Sequence, residues 1–166
     1  MAEITLKGNV THTSGELPDV GVDAPDFVLV NAKLADVTLA IFDGKKKLLN
    51  IVPSLDTPTC AISTRKFNEK AGQINDAVVL VVSADLPFAQ GRFCQAEGLK
   101  NVIPLSTMRS GDFAKDYGVL IEDGPLKGLT CRAVVVIDRD NRIGYTQMVN
   151  EIADEPDYES ALAALT

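Results

Sequence analysis

The sequence predicts an α/β fold in which a mixed β-sheet is flanked by helices and preceded by a β-hairpin. Three observations support this fold class. The run Ala77–Val82 is apolar and largely β-branched throughout, which is typical of a central strand covered on both faces. Helical segments alternate with such runs through the middle of the chain. Two strands near the end, Thr130–Asp138 and Arg142–Val149, are separated only by a short turn at Asp140-Asn141.

The amino-terminal part is predicted to contain short strands. Ile4–Lys7 and Val10–Thr13 are β-type runs on either side of Gly8-Asn9, which indicates a hairpin. Two more β-type runs follow, at Phe27–Val30 and Val37–Phe42. We therefore expect short strands before the main alternation begins.

From Lys47 onward strands and helices are predicted to alternate. Lys47–Val52 is expected to be a buried strand, and Thr59–Ile74 a helix because its apolar residues recur at helical spacing. Pro87–Glu97 is expected to be a helix that ends at Gly98. The remaining predicted elements are a strand at Val102–Leu105, a short helix at Asp112–Tyr117, the two late strands and a last helix at Asp157–Leu165. This order is that of a thioredoxin-like sheet with an added amino-terminal hairpin.

Length and composition limit the possible functions. The 166 residues, of which 46% are hydrophobic, are enough for one domain with a buried core, expected to span residues 1–166. The formal net charge of −7 argues against binding to nucleic acid or to an anionic membrane surface. The first residues lack the pattern of a secretory signal, so a cytoplasmic location is expected.

The titratable residues exclude several kinds of site. His12 is the only histidine, and it lies in a short polar segment, which disfavours catalytic triads and zinc-protease motifs. The three cysteines, Cys60, Cys94 and Cys131, form no Cys-x-x-Cys pair and no spacing typical of a zinc site. Each cysteine is therefore either a small buried apolar residue or a reactive thiol.

Cys60 lies where an anion would be stabilised. The segment Pro53–Cys60 follows the predicted strand Lys47–Val52 and opens a helix, at the sheet edge where α/β proteins bind ligands. Thr57 is the predicted N-cap and Pro58 the first helical residue, which puts Cys60 in the first turn with its free N–H groups. The alternative is an ordinary buried cysteine on the inner face of a capped helix.

A fast thiol enzyme also needs hydrogen-bond donors aimed at its transition state. Because no histidine lies nearby in the sequence, the candidate donors are backbone N–H groups, a hydroxyl and an arginine. Arg132 stands at the start of the apolar run that ends at Ile137, where a guanidinium is costly unless it meets an anion. The alternative for Arg132 is a surface salt bridge at a strand end.

Three stretches resemble a known family. The pattern Pro-x-x-x-Thr-x-x-Cys, formed by Pro53, Thr57 and Cys60, resembles the active-site motif of peroxiredoxins. The stretches Ser83–Cys94 and Gly124–Asp138 resemble the bacterial thiol peroxidase branch of that family. The resemblance covers nearly the whole chain. It implies a thiol peroxidase that reduces hydrogen peroxide and organic hydroperoxides in antioxidant defence.

The resemblance also implies residue roles. Cys60 would be the peroxidatic cysteine that becomes a sulfenic acid, and Cys94 the resolving cysteine that forms an intramolecular disulfide with it. Thr57 would hydrogen-bond the thiolate and the peroxide, Arg132 would stabilise the developing charge, and Pro53 would shield the site. Thioredoxin would reduce the disulfide. The family members are homodimers that need no metal and no organic cofactor.

Forming that disulfide requires the two Cα atoms to come within about 4.4–6.8 Å. We therefore expect Pro87–Glu97 and the first turn at Cys60 to rearrange on oxidation. Cys131 departs from the family pattern, in which this position is usually alanine. Because it precedes Arg132 on a strand, it should face the opposite side of the sheet. A small buried filler is favoured there over a second resolving thiol.

Two other functions are compatible with the residues. A general thiol–disulfide oxidoreductase would share the thioredoxin-like scaffold, but the missing Cys-x-x-Cys disfavours it. A non-catalytic peroxide sensor or redox-binding module would not need both Thr57 and Arg132 beside Cys60. Phe88 and Phe93 are expected in the core, or else at an apolar mouth that favours organic hydroperoxides.

Overall fold

The computed structural model describes residues 1–166 and has the predicted fold class. Seven strands form a mixed sheet, and two amino-terminal strands form a separate hairpin. The hairpin strands are β1 (Glu3–Leu6) and β2 (Asn9–His12). The sheet strands are β3 (Leu29–Val30), β4 (Asp36–Val37), β5 (Lys46–Ile51), β6 (Ala77–Ser83), β7 (Val102–Ser106), β8 (Ala133–Ile137) and β9 (Ile143–Met148). The helices are α1 (Pro58–Ala71), α2 (Pro87–Glu97), α3 (Asp112–Asp116) and α4 (Tyr158–Ala163).

Strand order decides which segments meet at one edge of the sheet. The order is β4-β3-β7-β6-β5-β8-β9, with β5, β6 and β7 parallel and β8 antiparallel to β5. The carboxyl ends of the parallel strands therefore lie at the same edge as the amino end of β8. The loop that follows β5 and the residue that precedes β8 are brought together there.

The core is divided by the sheet into two apolar clusters. One cluster joins the face that carries Leu48, Val81 and Val134 to α1, α4 and part of α2. The other cluster joins the opposite face to α3 and to the amino-terminal segments. Because successive residues of a strand point to opposite faces, each buried strand contributes to both clusters.

The predicted strands and helices from Lys47 onward are confirmed, with ends that differ by a few residues. The predicted strand Val37–Phe42 is wrong beyond Val37, because Leu39–Phe42 is a short 3-10 helix. Leu39 and Phe42 are both buried, and a 3-10 turn puts residues three apart on one side, whereas a strand would put them on opposite faces. In the same region, the strand predicted at Phe27–Val30 is shortened to Leu29–Val30.

The amino-terminal hairpin turns one residue earlier than predicted. Leu6 pairs with Asn9, so the turn residues are Lys7 and Gly8. Their φ angles of 51° and 82° are both positive, as a type I′ turn requires. Asn9 is thereby released from the turn and begins β2.

None of the helices combines the length and the hydropathy that crossing a bilayer would take.

Candidate active site

Cys60 lies in the first turn of α1, directly above the end of β5. Thr57 occupies the N-cap position in an extended conformation, and Pro58 is the first helical residue. The Cys60 side chain faces the sheet with Phe67 and is completely buried. In this conformation, the Cys60 side chain therefore has no surface exposed to solvent.

Arg132 directly precedes β8, the strand that pairs with β5, and its side chain reaches Cys60. Its Nη2 donates a hydrogen bond to Cys60 Sγ at 3.2 Å, and its Nε donates to the Ile152 carbonyl at 2.8 Å. The side chain is 2% exposed, and no carboxylate lies within salt-bridge distance of it. The alternative of a surface salt bridge is therefore wrong for Arg132.

Arg132 is placed to meet negative charge at Cys60. A buried guanidinium is costly unless a negative charge meets it, and the Cys60 thiolate is the group placed to supply that charge. The Nη1 of Arg132 is buried and has no hydrogen-bond partner, so the arginine retains one unused donor. That donor is available to a second oxygen or sulfur atom at the site.

Thr57 and Pro53 belong to the loop between β5 and α1. The Thr57 hydroxyl does not cap the helix, because it donates to the Ser54 carbonyl at 3.0 Å. The first N–H groups of α1 consequently have no side-chain acceptor, which leaves the positive end of the helix open to an anion. Pro53 is buried at the start of the loop, and Thr57 is half-buried.

The backbone of Cys60 is held by residues that sequence reasoning missed. The Cys60 carbonyl accepts hydrogen bonds from the hydroxyls of Ser63 at 3.1 Å and Thr64 at 2.8 Å. Asn50 in β5 donates to Ser63 Oγ at 3.3 Å and so ties the helix to the central strand. The available signal was a polar residue, Asn50, inside an otherwise apolar strand.

Cys94 lies on α2 and is partly buried against the same apolar cluster that contains Cys60. All three cysteines are free thiols, so the structure is that of the reduced chain. Burial raises the pKa of the Cys94 thiol above its ordinary value. Its thiolate would therefore form more readily when α2 opens and exposes it to water.

Cys131 lies on the opposite face of the sheet from Cys60. It is fully buried in the cluster formed with α3 and the amino-terminal segments. Burial raises the pKa of the Cys131 thiol to about 12. The structure thus supports the buried filler and does not place Cys131 where it could resolve an oxidised Cys60.

A groove runs beside the loop that precedes α1. Its volume is about 400 Å³, and it lies between this loop and one face of α2. It is lined by Ser54, Leu55, Asp56, Asp85, Ala89, Arg92, Phe93 and Ala96. Phe93 therefore stands at a mouth beside the site. The expectation that Phe88 is a core residue is wrong, because its side chain is 68% exposed at the start of α2.

No group of three or more histidine, cysteine, aspartate or glutamate side chains is arranged to hold a metal ion. The residues assembled around Cys60 supply a thiol, a guanidinium and a hydroxyl, and the start of α1 supplies backbone N–H groups.

Comparison with known proteins relates this geometry to one family. The family model described as Redoxin matches residues 19–162. The chain is 56% identical over 165 residues to a thiol peroxidase of Mycobacterium bovis and 53% identical over 165 residues to one of Corynebacterium glutamicum, with 99% of each chain covered in both cases. The solved structure of a peroxiredoxin-like protein from Aquifex aeolicus superposes with a TM-score of 0.93 at 40% identity, covering 99% of this chain and 96% of that one.

Proposed function

The chain belongs to the thiol peroxidase branch of the redoxin family, and we propose that Cys60 is the residue with which it attacks peroxides. Membership of this branch makes the chain a peroxide-reducing enzyme with an antioxidant function. The observation that carries the assignment of Cys60 is its hydrogen bond from the buried Arg132, whose guanidinium has no carboxylate partner. Neither other cysteine has a cation at hydrogen-bond distance.

The proposed first step is a displacement at oxygen. The Cys60 thiolate attacks one peroxide oxygen, an S–O bond forms and the O–O bond breaks. The sulfur is oxidised to a sulfenic acid, and the second oxygen leaves with a proton as water or an alcohol. Arg132 Nη1, which is buried and unpaired, would donate to the oxygen that develops negative charge. The Thr57 hydroxyl donates a hydrogen bond to the Ser54 carbonyl, and its oxygen retains lone pairs that can accept a hydrogen bond from the peroxide O–H.

The proposed second step joins Cys60 to Cys94. The Cys94 thiol attacks the sulfenic sulfur, a disulfide forms and water leaves, so that one peroxide is reduced for each two thiols oxidised. Cys60 and Cys94 lie on two intact helices in the reduced chain. We therefore expect the first turn of α1 and the helix α2 to unfold locally before the bond forms. A dithiol reductant of the thioredoxin type would then restore both thiols.

Three broader features remain predictions. They are the homodimer implied by the family resemblance, the cytoplasmic location and the organisation of residues 1–166 as one domain. Sedimentation equilibrium of the reduced and oxidised protein would test the first of these predictions. A mass of one chain in both states would contradict it.

Mass spectrometry tests the proposed cycle most directly. The reduced protein is treated with one equivalent of cumene hydroperoxide and digested without reductant. We expect the loss of two hydrogen atoms and a linked peptide pair that contains Cys60 and Cys94. Added oxygen confined to Cys60 would indicate a one-cysteine mechanism or a sensor. No change at Cys60 would contradict the proposal, and a Cys60→Ser variant provides the control.

A further inference from the structure

Asp85 joins the two segments that carry the redox cysteines. It lies between the end of β6 and the start of α2, and its carboxylate reaches across to the loop that precedes α1. Oδ1 accepts from Ser54 Oγ at 2.7 Å, and Oδ2 accepts from the Leu55 N–H at 2.8 Å. A single side chain therefore links the start of α2 to the loop that precedes Cys60.

The same carboxylate is connected to α2. Ser83 Oγ donates to Asp85 Oδ2 at 2.8 Å, and Gln90 Nε2 donates to Ser83 Oγ at 3.0 Å. Gln90 lies on α2, is fully buried, and also donates to the Leu105 carbonyl at 2.9 Å. We call this set the Asp85 cluster. It consists of Ser54, Leu55, Ser83, Asp85 and Gln90.

Three hydrogen bonds of the cluster end on the Asp85 carboxylate, and a fourth, from Gln90, ends on Ser83. The Gln90 amide donates to the Ser83 hydroxyl, which in turn donates a hydrogen bond to Asp85, and the loop donates to Asp85 through Ser54 and Leu55. Bonds to an ionised acceptor are about twice as strong as neutral ones, and such chains are cooperative. If Asp85 is removed, the Leu55 N–H and the Ser54 hydroxyl lose their shared acceptor.

We propose that Asp85 is a positioning residue that locks the Cys60 loop to α2 in the reduced fold and sets how readily Cys94 is released to resolve Cys60. The inference rests on the proposed function, in which Cys94 reduces the Cys60 sulfenic acid. The folded form is the one that keeps Cys60 beside Arg132, where a second peroxide would react with the sulfenic acid. The opened form is the one in which Cys94 can react. The Asp85 cluster favours the first form over the second.

The balance between these forms has a chemical readout. A sulfenic acid that waits in the folded site can be oxidised again to a sulfinic acid, which is not reduced by thiols. A sulfenic acid in the opened site forms the disulfide. A weaker lock should therefore shift the products from sulfinic acid to disulfide at the same peroxide concentration.

The experiment compares Asp85→Ala, Asp85→Asn and Ser54→Ala with the wild-type chain. Each reduced protein receives increasing cumene hydroperoxide with reductant present, and intact mass gives the peroxide concentration at which half of Cys60 is sulfinic. We expect Asp85→Ala to need roughly tenfold more peroxide, since it loses several bonds to a charged acceptor. Asp85→Asn can still accept from Leu55 and should fall between Asp85→Ala and the wild type, as should Ser54→Ala.

Asp123→Asn is the matched control. The Asp123 carboxylate also accepts from a threonine hydroxyl and a backbone N–H. These two donors belong to β2, so Asp123 holds the amino-terminal hairpin and not the loop that precedes Cys60. Asp123→Asn should require the same peroxide concentration as the wild type to convert half of Cys60 to the sulfinic acid. An equal shift in Asp123→Asn would show that general loss of stability moves the products, and this would overturn the proposal.

Amide exchange separates this inference from the proposed function. In the reduced Asp85→Ala protein, amides of residues 87–97 should exchange about tenfold faster than in the wild type, whereas Asp123→Asn should not change them. Unchanged exchange in both Asp85→Ala and Ser54→Ala would refute the lock. If the wild type forms no Cys60–Cys94 disulfide, the proposed resolving step fails, and the exchange measurement still decides whether Asp85 holds α2.

Discussion

Cys131 and Arg132 are neighbours in the chain, but their side chains lie on opposite faces of the sheet. Arg132 reaches Cys60 in the cluster beneath α1, and Cys131 is enclosed in the cluster formed with α3. The strand pleat thus separates the third thiol from the reactive one. Any reaction between Cys60 and Cys131 would require the sheet itself to open.

This separation predicts that Cys131 is inert in the folded protein. Its pKa of about 12 and its complete burial keep the thiol protonated and away from reagents at neutral pH. Iodoacetamide should label Cys131 only after denaturation. Cys131→Ala should keep wild-type peroxidase activity. A Cys60–Cys131 link in a Cys94→Ser variant, detected by peptide mass spectrometry, would contradict this prediction.

Replacement of Arg132 is expected to remove most of the activity. Arg132→Lys keeps a positive charge but cannot bond both Cys60 Sγ and the Ile152 carbonyl with the planar fork of a guanidinium. We expect kcat/KM for peroxide to fall about 10²–10³-fold, as for the loss of an aimed donor in other enzymes. Arg109→Lys is the control, because Arg109 forms an exposed ion pair with Asp36. Equal activity of the two variants would count against the role of Arg132.

The role of Thr57 can be tested by a pair of near-isosteric changes. Thr57→Val removes the hydroxyl that donates to Ser54 and could accept from a peroxide, whereas Thr57→Ser retains it. We expect Thr57→Val to lose roughly tenfold in the rate of Cys60 oxidation, the effect of one lost hydrogen bond at a partly buried site. Thr57→Ser should stay near the wild-type rate. Stopped-flow measurement with limiting peroxide distinguishes them, and equal rates for both variants would exclude the hydroxyl from the reaction.

The amino-terminal hairpin is predicted to loosen in acid. Asp123 accepts hydrogen bonds from the Thr11 hydroxyl and from both His12 Nδ1 and the His12 N–H. The hydrogen bond from Thr11, followed by those from His12, lowers the pKa of Asp123 to about 2. The ordinary pKa of an aspartate is about 3.8, so this carboxylate stabilises the folded chain above that pH and loses its contribution as the pH falls toward about 2.

Thermal unfolding across this range provides the measurement. The Tm of Asp123→Asn should lie below that of the wild type above about pH 4, and the two values should converge as the pH approaches 2. Asp36→Asn, which removes one exposed ion pair, should change Tm little throughout. A difference between wild type and Asp123→Asn that stays constant down to pH 2 would contradict the assignment.

Sequence periodicity predicted the parts of the fold that are held by apolar burial. The central strand β6 and the helices α1 and α2 were recognisable because their buried residues recur at regular intervals. The 3-10 helix at Leu39–Phe42 was not, because a short apolar run is compatible with either a strand or a turn of helix. Only its packing against the core decides between them.

The candidate site was predictable where side-chain type itself carries the chemistry. A cysteine at a helix start and an arginine beside a buried strand drew attention to Cys60 and Arg132, and the structure puts them within 3.2 Å. The Ile152 carbonyl that orients Arg132 had no sequence signal, because every residue has a carbonyl. Asp85 was not singled out either, since its partners come from segments that only the folded sheet brings together.

The insertion of β8 beside β5 has a consequence for how the chain matures. Cys60 and the arginine that bonds it are 72 positions apart in the sequence, and Arg132 arrives only when β8 pairs with β5. A nascent chain that ends before this strand carries a thiol without its guanidinium. Peroxide consumption should therefore begin only after β8 has paired with β5, and its onset during synthesis or refolding would report when this pairing is complete.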